Sequence, residues 1–443
     1  MLESMMNALR APDIRRRLLF VALILIIYRA LSHVLIPGIN PAVINSKAGD
    51  NSFFSLMSLF SGSDIRQMSI VGLGLNPYIT ATIIMQVLQT AIPRLQALSR
   101  EGEYGRNKIT SYSRWLSVPL AALQAYGILS LVQFQEANTS LGGSGLAAYS
   151  VNFSFEKYES LSMILALTAG SVLLMWLGEL ITEKGIGNGI SFIIFAGIIS
   201  RAPGAVGSFL NNPQWLEIFA FGLVALLIIF VIIFVQEGQR RIPIQYANRV
   251  RGHRIYQGGS TFLPLRVNMA GVIPIIFSIS ILMFPVQIAN YFSVSSIKWV
   301  ADTCTFIKST LSQNSPVYLT LYFLLTFGFA FFYTFIVFKP DETASNLRKS
   351  GGFIPGIRPG QPTEEYLRRV ALRITVAGAI FVAAIAVLPY LIAALPWFKT
   401  LQNAGVGVGI GGTSVLIVVS VVIETMKQLE AQLMMRSYEG FIR

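Results

Sequence analysis

Residues 57–80 read MSLFSGSDIRQMSIVGLGLNPYIT. An apolar start is interrupted by Ser61, Gly62, Ser63 and Asp64 and crossed by Arg66, and the stretch breaks again at Gly74-Leu75-Asn76-Pro77. In lipid it would be costly. A charged side chain at the centre of a spanning helix costs roughly 2.5–3.5 kcal/mol on insertion scales, and irregular backbone is tolerated at membrane depth only inside protein or against a water-filled cavity. The stretch must therefore lie within protein, in such a cavity or at the outer surface, and its surroundings decide what it is for.

Those surroundings are membrane-like. Of 443 residues, 53% are hydrophobic and only 12% charged, against roughly 25% charged in soluble proteins. Ten apolar runs recur, at about 18–36, 76–93, 115–134, 160–181, 188–206, 215–235, 269–290, 316–338, 370–395 and 411–429. Each is close to the ~20 helical residues that cross a ~30 Å hydrocarbon layer. The expected fold is all-α, with ten transmembrane helices. Arg15, Arg16 and Arg17 precede the first run as they would a secretion signal. No small-residue cleavage site follows, so the run is expected to remain as a helix. A single cysteine, Cys304, excludes an internal disulfide framework and any multi-cysteine metal site.

The net charge of +13 is explained by topology. With the N-terminus in the cytoplasm, most of the 34 Lys and Arg residues fall on cytoplasmic connections, which places both termini inside. Specific DNA binding is not expected. Two cytoplasmic connections, 236–268 and 339–369, are far longer than linkage requires. They mix Arg with Pro, Gly, aromatic and β-branched residues, with Gly252-His253-Arg254 at an expected hairpin tip and Gly356 to Gly360 as a turn. Docking of a large partner is one reading and a solvated basic loop the other.

Five runs precede residues 201–214 and five follow. Because five is odd, the second half enters the membrane from the opposite side, so any repeat between residues 1–200 and 215–443 is inverted, with 201–214 as an external hinge loop. Inverted halves commonly place their working site at the midplane between them, marked by discontinuous helices. The interrupted stretch at 57–80 is such a discontinuity.

Catalytic signatures are missing from the sequence. No GxxxxGK[ST] loop occurs, and His33 and His253, the only histidines, fall on opposite sides of the expected topology. A solute transporter with inverted repeats would commonly carry ionisable residues near the midplane, and an intramembrane enzyme would need a carboxylate pair, a Ser-His set or a metal cluster within the spans. A structural scaffold would not need the broken segment. No enzyme activity and no cofactor are expected, so any transport has to be driven from outside the chain.

Several stretches together resemble the bacterial SecY family, the large subunit of the protein-conducting channel. They are FIPGIRPG at 353–360, ITEKGIGNGISFIIFAG at 181–197, LPLRVNMAGVIP at 263–274, GLNPYITATIIMQVL at 74–88, GGTSVLIVV at 411–419 and the ten-run layout. The resemblance implies two inverted five-helix halves around a central pore, in the bacterial cytoplasmic (inner) membrane. It implies that about 57–73, with Ser61, Gly62, Ser63, Asp64 and Arg66, is a short re-entrant plug helix closing the resting channel. On the residues alone, an ordinary re-entrant loop fits as well.

The resemblance further implies a pore ring of Leu75, Ile79, Ile190, Ile194, Ile276 and Ile417. The pairs 75/79 and 190/194 are four apart and share a helix face, although an isoleucine in a membrane helix usually faces lipid or a neighbour. Leu75 stands where many relatives have Ile. A lateral gate is implied between the second and third spans and the seventh and eighth, with Thr80, Gln86 and Asn268 as polar residues whose interhelical hydrogen bonds would hold it shut. Plain helix packing is the alternative for each. The implied partners are the small subunits SecE and SecG, the motor ATPase SecA, the translating ribosome, secretory and membrane precursor polypeptides, and the lipid bilayer. Docking would use Arg249, Arg251, His253, Arg254 and Arg358, with His253 where many relatives carry a second Arg.

Overall fold

The computed structural model describes residues 12–36, 69–137, 158–200, 215–246, 249–251, 254–256, 259–292, 298–312, 315–394 and 412–442. The first half contains α1 (Pro12–Leu31), α2 (Asn76–Ala91), α3 (Pro93–Arg100), α4 (Glu103–Ala137), α5 (Tyr158–Lys184) and α6 (Gly189–Ile199). The second contains α7 (Trp215–Glu237), α8 (Ile273–Phe292), α9 (Lys298–Thr310), α10 (Pro316–Val337), α11 (Pro340–Lys349), α12 (Gln361–Ala394) and α13 (Gly412–Ile442). Ten of these helices overlap the ten apolar runs, and the short helices α3, α9 and α11 lie between them.

Proline sets several boundaries. Helix α2 carries Pro77 in its first turn, where the missing N–H has no partner to lose. It ends because Ile92 precedes Pro93 and is held extended at φ −105°, ψ 113°. Among the described residues, Leu161–Lys184, Pro316–Lys349 and Gln361–Ile392 are long and apolar enough to cross a membrane, and Gly189–Ile199, Gly222–Glu237 and Ile273–Leu282 are shorter apolar helices. The chain is a multi-pass helical membrane protein.

The all-α membrane fold carries one small addition outside the spans. Five short strands occur in the two long connections: β1 (Gln239–Tyr246), β2 (Arg249–Arg251), β3 (Arg254–Tyr256), β4 (Ser260–Arg266) and β5 (Gly352–Phe353). Strands β4, β1 and β5 form one antiparallel sheet in that order, so the first and second long connections are joined. The cause is visible in β1, where buried Ile242 and Ile244 alternate with exposed Arg241, Pro243 and Gln245. Ile242 and Leu265 pack with Ala344, Ile354, Leu367 and Val370, which seats the sheet on α11 and α12.

Contacts group the helices by half. In the first, α2 packs on α4, α4 on α5, and α5 on α1 and α6; in the second, α8 packs on α10, α10 on α12, and α13 on α12 and α7. Helices α7 and α13 are also tied by Gln236 Nε2 donating to Ser420 Oγ (2.5 Å) and by the Lys427–Glu237 ion pair (2.8 Å). The halves meet where α6 touches α13 and where α8 touches α2 and α4. Ile14, Ile186 and Leu429 form a small buried cluster, which brings the start of α1 beside the C-terminal part of α13.

Close backbone approach fixes the segment before α2. A Cβ on Gly170 of α5 would overlap the carbonyl of Ile70, whereas one on Gly222 of α7 would meet open space. Gly170→Ala is therefore expected to destabilise the solubilised chain by about 1–3 kcal/mol, while Gly222→Ala has no measurable effect. Thermal unfolding followed by a thiol-reactive dye at the buried Cys304 measures both; equal melting temperatures for the two variants would contradict the contact.

Candidate functional site

Three interruptions of helix position the side chains of interest. At the first, residues 69–75 form successive turns: Ile70 N–H donates to Val34 O (2.9 Å), Gly72 N–H to Ser69 O (2.8 Å) and Gly74 N–H to Val71 O (2.9 Å). Gly74 has φ +61°, a conformation that favours glycine. Its carbonyl accepts the Ser171 hydroxyl at 3.0 Å, which pins the turn to α5. Leu75 follows at the head of α2 and Ile79 one turn later, and both are buried.

At the second, α5 passes into α6 through Gly185-Ile186-Gly187-Asn188. Gly187 takes φ +82°, and the Asn188 side chain accepts the N–H groups of Ile190 (3.1 Å) and Ser191 (3.4 Å), capping α6. Gly189 N–H donates to Thr182 Oγ1 (2.9 Å), which donates in turn to Gly178 O (3.0 Å). A Cβ on Gly189 would overlap the Gly178 carbonyl, so the motif needs glycine there. Ile194 is buried and Ile190 half-buried.

At the third, β4 leads into α8. Asn268 Oδ1 accepts Gly271 N–H (2.9 Å) and its Nδ2 donates to Gly271 O (3.2 Å), with Gly271 at φ +65°. The half-buried Ile276 lies in the first turn of α8, and Ile417 is buried near the start of α13. All six side chains expected in a pore ring enter one apolar cluster: Leu75, Ile79, Ile194 and Ile417 within it, Ile190 and Ile276 packed against it.

The expected gate residues behave differently from one another. Thr80 Oγ1 donates to Asn76 O of its own helix (2.9 Å), and Asn268 closes the local turn just described, so neither bond crosses between helices. A threonine in an apolar helix has its own i−4 carbonyl as the nearest acceptor, which accounts for the first. Gln86 has a buried Oε1 without a hydrogen-bond partner. Glu179 of α5 is paired with Arg114 Nε of α4 at 2.5 Å.

Ser61, Gly62, Ser63, Asp64, Arg66 and His253 lie outside the described residues, as does the hinge at 201–214. Arg249 and Arg251 are on β2 and Arg254 on β3, with Arg251 paired opposite Arg254. Arg358 is exposed on a loop whose carbonyl at 358 accepts the Thr363 hydroxyl (2.8 Å) and whose flanking Gly356 and Gly360 take φ +82° and +108°. What sequence reasoning missed is the pairing of Phe353 with Gln245, which brings that loop to the first one. A two-residue strand carries no periodic signal that could have revealed it.

Comparison with known proteins assigns the chain to a family and a fold. The SecY family model matches residues 69–426. The "Protein translocase subunit SecY" of Streptomyces galbus is 42% identical, with 100% of each chain covered. A solved structure described as "The structure of a protein conducting channel" matches with TM-score 0.61 at 17% identity, covering 93% of this chain and 91% of that one. Sec61 in a canine ribosome-channel complex from the endoplasmic reticulum matches with TM-score 0.58 at 18% identity, with the same coverage. The family match over most of the chain and the full-length identity together establish that this chain belongs to the SecY family.

Proposed function

We propose that this chain forms the conduit by which unfolded secretory polypeptides cross the bacterial cytoplasmic membrane, with Leu75, Ile79, Ile190, Ile194, Ile276 and Ile417 as its waist. As a SecY-family protein it is a protein-conducting channel and not an enzyme. The observation that carries the pore assignment is the convergence of these six aliphatic side chains, from α2, α6, α8 and α13 of both halves, in one apolar cluster. An ion entering such a waist loses hydration and gains no ligand, so it is turned back. A polypeptide displaces the same side chains, which close around it by dispersion contact without hydrogen-bonding it.

In this reading ten spans form two inverted halves, residues 1–200 and 215–443, with both termini in the cytoplasm. Residues about 57–73 act as the plug, and the buried turn at 69–75, held by Ser171 and Gly170, anchors its end. The lateral gate runs where α8 meets α2 and α4, a thinner contact than that of α8 with α10. The internal bonding of Thr80 and Asn268 favours a seam that opens by separating apolar surfaces rather than by breaking interhelical hydrogen bonds. Gln86, with its unpaired Oε1, is the group that gains a partner when polypeptide or water enters.

The chain has no energy source of its own, so a motor ATPase of the SecA type or a translating ribosome drives transport from the cytoplasm, and small subunits of the SecE and SecG type complete the complex. Both drivers dock on the loops at 236–268 and 339–369, whose union in one sheet supports a single docking platform.

Replacing Cys304 with Ser and Ile190 with Cys, then stalling a single-cysteine precursor during transport, tests the pore. Disulfide formation that appears and disappears with precursor length is expected. Silence at Ile190→Cys, Ile79→Cys and Ile276→Cys while the precursor still engages the membrane would remove the assignment. Docking has its own test. Arg254→Glu should weaken binding of the motor or ribosome about tenfold, ~1.4 kcal/mol, with the difference shrinking as salt is raised. An unchanged affinity in co-sedimentation would make the first connection a solvated loop.

A further inference from the structure

Helix α9, Lys298–Thr310, belongs to none of the ten apolar runs and plays no part in the pore, the gate or the docking sheet. At 13 residues it is about 20 Å long, too short to cross ~30 Å of hydrocarbon. Its place is nevertheless fixed. Five residues separate it from the end of α8 at Phe292 and five from the start of α10 at Pro316, so it lies at the membrane end where α8 leaves and α10 enters. It packs on α8, and Leu311 just beyond it packs against the main apolar core.

The helix has three sectors. Cys304, 8% exposed, and the half-buried Val300 and Ile307 face the protein. Asp302, Thr305, Lys308 and Ser309 are exposed on the polar arc. Between these arcs, one helical line seven residues long carries Trp299, 77% exposed, and Phe306, 69% exposed. Thr303, between the two rings, bonds its hydroxyl back to Trp299 O at 2.8 Å and so adds no free polar group to that line.

We infer that α9 lies flat in the membrane–water interface beside α8, with Trp299 and Phe306 seated at the boundary between lipid headgroups and acyl chains. A helix tethered at both ends to that level has lipid within reach of its non-protein side. Its polar arc then faces water, and Trp and Phe are the side chains suited to the layer between. Lys308 on the polar arc is within reach of lipid phosphates. The two rings act as a lipid anchor that sets the level and tilt of that end of α8. The inference depends on the multi-pass fold and is independent of the pore assignment.

The test uses the full-length chain in vesicles of phosphatidylcholine and phosphatidylglycerol, with Trp115, Trp176, Trp215 and Trp397 replaced by Phe so that Trp299 alone fluoresces. Lipids brominated near the top of the acyl chain are expected to quench it several-fold more than lipids brominated near the chain end, with little quenching by aqueous iodide. Iodide quenching with lipid silent would put the helix in water, and quenching by neither would mean a protein covers it. Strongest quenching from the chain ends would mean insertion; each of the three overturns the inference. A second arm leaves Trp115, Trp176, Trp215 and Trp397 in place. Trp299→Ala combined with Phe306→Ala should make Cys304 react several-fold faster with an aqueous maleimide, and an unchanged rate would show that the rings do not hold the helix down.

Discussion

Hydrocarbon offers a backbone amide no partner, so every departure from helix inside a membrane protein has to be answered by the protein itself. Here the departures at 69–75, 185–188 and 267–272 are answered by a few short-range bonds: Ser171 to Gly74, Asn188 and Thr182 around Gly189, and Asn268 to Gly271. Each departure ends in a helix that delivers an aliphatic side chain to the same cluster. The start of each helix fixes where its first turns point. The position of these aliphatic side chains is thus set by hydrogen bonds made at the helix starts rather than within the cluster.

The same economy links the β-sheet to the helices. Strand β1 follows α7 after a single residue, Gly238, and Val267, the residue after β4, returns a hydrogen bond to Gly238 O (2.9 Å). The Val267 carbonyl lies against Gly378 of α12, where any side chain would overlap it. Asn268 then opens the turn into α8. A load applied to the sheet therefore has a short covalent route to the helix that faces α2 and α4. Because β5 of the second long connection pairs with β1 of the first, the two connections carry that load as one body.

Much of this could be read from residues in order. Spans are written in long apolar runs, and the α5–α6 motif advertises its turn through Gly187, Asn188 and Gly189. What escaped reading depends on partners distant in sequence. The β1–β5 pairing rests on two residues more than a hundred positions away, and the Arg114–Glu179 pair joins helices 65 residues apart. Helix α9 escaped for a different reason: its amphipathic pattern is short and sits in a connection whose flanks read as polar. Thr80 and Asn268 are legible as polar residues, but which acceptor a hydroxyl or amide chooses depends on local backbone geometry that spacing does not encode.

The central claim is that the aliphatic ring seals the channel around its cargo. Ion conductance across planar bilayers, measured with a stalled precursor lodged in the channel, addresses it directly. The natural chain should remain nearly ion-tight, and Ile276→Ser combined with Ile417→Ser should leak, while Leu223→Ser combined with Leu226→Ser on the exposed face of α7 should not. Ring variants as tight as the natural chain would contradict the account.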